Sequence, residues 1–62
     1  MIPQQYFEKV KKHFEGSATQ AWAWFNSNHN ALNGLSPLSM IKTGRKELVK
    51  RVIDEGLKKG KL

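Results

Sequence analysis

Apolar residues return at helical spacing in two long stretches of this chain and in two shorter ones. Ile2, Tyr6, Phe7, Val10 and Phe14 line one face of a helix, with Glu8, Lys9, Lys11, Lys12 and Glu15 on the other. The expected helix covers residues 3–15. Pro3 suits its first position because a missing N–H costs nothing there, and Gly16 suits the left-handed residue that ends it. Ser17-Ala18-Thr19-Gln20 reads as a capping box, the Ser17 hydroxyl accepting from the Gln20 N–H and the Gln20 side chain returning to the Ser17 N–H. It opens a second helix over 18–26. Its residues Ala21, Trp22, Ala23, Trp24 and Phe25 are apolar on all sides, and Trp22 and Trp24 point about 200° apart. Either other helices surround this segment or one tryptophan faces solvent.

Asn26-Ser27-Asn28-His29-Asn30 is a loop, since these side chains satisfy backbone groups themselves, and Asn33-Gly34 adds a tight turn. Ser36-Pro37 pairs an N-cap with a proline at the first helical position and starts a short helix over 37–42, expected to bury Leu38 and Ile41 and to close at Gly44. From 45 to 59, Leu48, Val49, Val52, Ile53 and Leu57 form the sharpest stripe in the chain, with Gly56 on the same side, where it admits close approach of another helix. The expected architecture is all-α, a small single-domain bundle of four helices over residues 1–62, one of them short.

A chain of 62 residues leaves little room for an enzyme core with a substrate cleft, which favours a binding module. His13, His29 and Asp54 do not combine with Glu or Ser at any catalytic spacing, and no phosphate-loop or dinucleotide motif is present, so we expect no enzyme, no cofactor and no metal site. His13 reads as a partly buried structural residue and His29 as a solvated one. Cysteine is absent, which removes disulfides, thiolate ligands and thiol nucleophiles and points to the cytoplasm. The longest apolar run, Ala21 to Phe25, falls far below the roughly 20 residues of a membrane span, and no signal segment opens the chain.

Net charge is +6, and residues 32–62 hold most of it, with eight bases against three acids. Attraction to an acidic partner is therefore expected there. Glu47 with Arg51, Arg51 with Glu55, Asp54 with Lys58 and Glu55 with Lys59 are spaced as helical ion pairs, the pattern of a solvated face. Lys42, Arg45, Lys46 and Lys50 instead cluster where the short and long helices meet, the outline of a helix-turn-helix; this supports an alternative in which the chain is a small basic DNA-binding regulator.

From Ala21 onward the chain resembles the toxin-binding C-terminal domain of Xre/MbcA/ParS-type antitoxins, the partners of RES-class toxins. The resemblance rests on Trp24-Phe25-Asn26-Ser27-Asn28-His29-Asn30-Ala31-Leu32-Asn33-Gly34, then Ser36-Pro37-Leu38, Ile41 and Thr43, and an apolar helix ending near Gly60. It covers residues 21–62 and leaves 1–16 as a leading helix. Three features differ from the family pattern: Asn28-His29 where Pro-Asn is usual, Phe25 in place of an aliphatic residue, and only Lys61-Leu62 after Gly60. The resemblance implies an all-α, non-enzymatic module that neutralises a toxin-like protein by occlusion, in a free-standing form encoded by a phage or plasmid. It places the contact around the final helix and tail, at Arg45, Lys46, Lys50, Arg51, Lys58, Lys61 and Leu62. Trp24 is expected to anchor the core beneath the Ala31-Leu32 loop, and Trp22, Trp24 and Phe25 are the candidate structural or interface aromatics. Self-association through the outward tryptophan, giving a homodimer, is a third reading.

Overall fold

The computed structural model describes residues 2–62. They form α1 (Gln4–His13), α2 (Ala18–Asn26), a single 3-10 turn (Asn30–Leu32), α3 (Pro37–Lys42) and α4 (Lys46–Lys59), with no strand among the described residues. This is the expected all-α bundle of four helices with a short third member. α4 packs against α3, α1 and the 3-10 turn, while α2 packs against α1 and α3. The core between them is Tyr6, Val10, Ala21, Trp24, Phe25, Leu32, Met40, Val49 and Ile53.

Helix ends follow from local chemistry. Pro3 stands just outside α1 as its N-cap, and the helix stops at His13, two residues before the expected end. The cause is the left-handed conformation of Glu15, with φ 60°, ahead of Gly16 at φ 86°. Glu15 N–H donates to the Lys12 carbonyl at 3.0 Å and Gly16 N–H to the Lys11 carbonyl at 2.8 Å, a Schellman closure with a glutamate in the place glycine usually takes. A side chain in that conformation costs roughly 1–2 kcal/mol, partly offset by the backbone freedom glycine loses on folding. Glu15→Gly is therefore expected to raise stability by about 0.5–1 kcal/mol, read as an upward shift in a thermal melt; an unchanged or lower midpoint would contradict the assignment.

Ser17 caps α2 by accepting from the Gln20 N–H at 3.2 Å, but the box is only half formed. Ser17 N–H donates to the Phe14 carbonyl at 3.2 Å and needs nothing from the Gln20 side chain. At the other end of α2, Asn26 Nδ2 donates to the Trp22 carbonyl at 2.8 Å and the Ser27 hydroxyl to the Ala23 carbonyl at 2.6 Å. Ser36 caps α3, accepting from the Ser39 N–H at 3.2 Å, with Pro37 at the first helical position. Gly44 and Gly60, both left-handed, close α3 and α4 with Schellman bonds from Arg45 N–H to the Met40 carbonyl at 2.8 Å and from Lys61 N–H to the Gly56 carbonyl at 2.7 Å.

The buried face of α3 differs from the expected one by a step of rotation, and that of α4 matches it except at Leu48. In α3 the buried residues are Pro37 and Met40, with Leu38 and Ile41 half-buried, because the proline packs as well as caps. In α4 the face centres on Val49 and Ile53, which leaves Leu48 43% exposed. Arg45 stands outside α4 as its N-cap. Asp54 turns from Lys58 and takes Lys9 of α1 at 3.0 Å, since the packing of α1 on α4 brings that ammonium alongside; this is the one ion pair among the described residues. None of the four pairs expected along α4 forms.

Candidate functional site

Residues 27–35 set the geometry of the site. Asn33 and Gly34, with φ of 58° and 81°, make the tight turn between Leu32 and Leu35, the conformation that Asn-Gly favours. His29 is not a solvated loop residue. It is half-buried, its Nε2 donates to the Trp24 carbonyl at 2.9 Å, and its ring lies 4.8 Å from the Trp24 ring. Its backbone also pairs with Leu35 across the turn. His29 thus staples the loop to the end of α2 and holds the 3-10 turn over Trp24.

That turn and α4 bound an open groove. At one end its walls are Trp24, His29, Ala31, Val52, Gly56 and Leu62, with Lys59 and Lys61 at the rim. At the other they are Leu32, Met40, Leu48 and Arg51, and the two ends share Ala31, Val52 and Glu55. Its lining mixes apolar side chains with the polar His29, Asn30 and Asn33, and it holds three cations and one carboxylate.

Gly56 has a different neighbour from the one its spacing suggests. No second helix approaches it. A Cβ there would collide with the Leu62 side chain and the Lys61 carbonyl, because Gly60 turns the chain back along α4 and lays Leu62 on the glycine.

The residues expected at a partner contact fall into three places. Arg51, Lys61 and Leu62 line the groove. Arg45 and Lys46 are exposed at the corner between α3 and α4, together with Lys42. Lys50, beside Glu47 and Asp54, and Lys58 are exposed on α4 off the groove. Sequence reasoning missed Lys59, Glu55, Val52, Ala31 and Gly56. One signal was available: a Schellman end usually brings an apolar residue just beyond the helix onto the last turn, and Gly56 and Leu62 stand at nearly that spacing.

The tryptophans divide. Trp24 is 5% exposed and packs edge-on against Phe25, whereas Trp22 is 49% exposed on the far side of α2, where it shares a shallow hollow with Ile2, Gln4 and Phe7. Phe25 is fully buried. His13 is half-buried against the edge of Phe14. Among the described residues no group of His, Asp and Glu converges as metal ligands, and no helix is long and apolar enough to cross a membrane. Comparison with models of protein families, with curated proteins and with solved structures finds no match.

Proposed function

We propose that this chain is a non-enzymatic protein-binding module, antitoxin-like, that neutralises a toxin-like protein by covering its surface through the groove between α4 and the 3-10 turn. The observation that carries the reading is the composition of that groove: apolar Ala31 and Val52 beside the cations Arg51, Lys59 and Lys61. Apolar surface beside charged groups is the build of protein contacts, where the apolar part supplies affinity and the charges select the partner. The resemblance to the antitoxin domain supports the same region, the last helix and tail. Phosphate binding is less well served, because Glu47 stands among the corner cations and the groove offers a carboxylate and apolar side chains.

The test is a titration of a RES-class toxin with the purified chain. Lys61→Glu, in the groove, is expected to weaken the complex by about tenfold, roughly 1.4 kcal/mol, while Lys58→Glu stays within about twofold and both keep the helix content of the parent. Duplex DNA in a parallel salt series is expected to show no steep dependence; a log–log slope near −3.6, that of about four phosphates, would favour the DNA reading and overturn this one. So would failure of the toxin to bind.

A further inference from the structure

Gly56 is the anomaly of α4. The other glycines in the chain all have positive φ and open space around them, so each is there for its backbone conformation. Gly56 has ordinary helical conformation and is the one glycine whose missing side chain makes room for something. A glycine inside a helix weakens it. What it provides in return is a seat shaped for a leucine, and Leu62 is in it.

Apart from the packing of the half-buried Leu62 on the core, the occupant has few ties. A single backbone bond, Lys61 N–H to the Gly56 carbonyl at 2.7 Å, ties the tail beyond Gly60 to α4, and no side-chain hydrogen bond or ion pair among the described residues fixes residues 60–62. Segments with so few ties open at low cost. Around the seat, Val52 and Ala31 continue the apolar surface; Lys59 stays at its rim when the tail leaves, Arg51 lines the far end of the groove, and Glu55, shared by both ends, is the carboxylate against them.

We propose that this groove is a leucine-anchored peptide site that Leu62 closes from within, and that the segment displacing it carries an aliphatic anchor between carboxylates. This rests on reading the chain as a protein-binding module and names the chemistry of the partner. Leu62 shows what the seat accepts, and the rim cations set the sign of what must flank it. The tail acts as a competitor: affinity for the partner falls by the fraction of molecules whose seat is filled.

The probe is a fluorescein-labelled decapeptide with one central leucine among glutamates, titrated into the full chain. Leu62→Ala is expected to bind it about tenfold more tightly than the unaltered protein. Adding Gly56→Val should abolish that gain, because the valine fills the seat. Peptides with the leucine changed to alanine, or the glutamates to glutamine, are expected to bind at least about tenfold more weakly. On the unaltered protein, the Trp24 indole and the Ala31 and Val52 amides should shift in nitrogen–proton spectra while the Trp22 indole does not; this readout needs no variant to fold. Equal affinity of Leu62→Ala and the parent, indifference to the peptide's leucine or charge, or shifts confined to Trp22 would overturn the proposal. A toxin complex that forms while the peptide binds no variant overturns the leucine seat alone. Absence of both removes the module reading with it.

Discussion

Alanine at Phe25 is expected to cost the chain most of its stability. The ring is fully buried, stacked on Phe7 at 6.0 Å and edge-on to Trp24 at 5.0 Å, and belongs to the cluster that includes Val10 of α1 and Val49 and Ile53 of α4. Truncating a buried phenylalanine costs about 3–5 kcal/mol, the lost transfer energy plus that of the cavity left behind. A domain of 62 residues has on the order of 3–9 kcal/mol in all. The variant should therefore keep at most about 6 kcal/mol, and none if the parent lies at the low end of its range, with its circular-dichroism midpoint lowered by roughly 12 °C or more. Phe25→Leu, which keeps most of the volume, should retain the helices with a much smaller shift. A Phe25→Ala midpoint within about 5 °C of the parent would mean that the core is not where we place it.

The tryptophans give the second large effect, because two residues of one type on one helix should respond oppositely. Trp24→Ala removes a ring that contacts Phe25 and His29, so a loss of about 3–5 kcal/mol is expected, together with loosening of the 3-10 turn that rests on it. Trp22→Ala removes a half-exposed ring tilted against Phe7 at 5.6 Å and should cost roughly 1 kcal/mol. Fluorescence separates them independently. The Trp22→Ala protein, left with Trp24, should emit at shorter wavelength and resist a soluble quencher; the Trp24→Ala protein should show the reverse. Similar losses or similar spectra would contradict the division of α2 into an inner and an outer face.

Much of this fold was legible in the sequence because its punctuation is local. Ser17, the Ser36-Pro37 pair, Gly44 and Gly60 act on the backbone within a turn of themselves, and each ends or begins a helix where its chemistry implies. Rotation of a helix about its own axis is not local. Pro37 and Met40 take the buried positions in place of Leu38 and Ile41, and Leu48 turns out, because neighbours elsewhere in the chain choose the face. The left-handed Glu15 escaped because glycine follows it and invites that assignment.

The site was half legible. Its cations could be counted, and Arg51, Lys61 and Leu62 do reach the groove. The groove itself joins segments from α2, the 3-10 turn, α4 and the tail; the Gly56–Leu62 spacing folds the tail onto α4, and nothing in the spacing brings α2 and the 3-10 turn to them. The use of His29 was hidden for a similar reason: a histidine among asparagines gives no hint that a helix-end carbonyl waits 2.9 Å away.

The reversal at Gly60 has a practical corollary for anyone labelling this protein. Because the backbone doubles back there and delivers Leu62 beside Gly56, a dye or fusion joined after Leu62 would emerge at the mouth of the cleft. Tethered so close, an appended peptide reaches an effective concentration of about a millimolar, enough to mimic or mask a weak ligand.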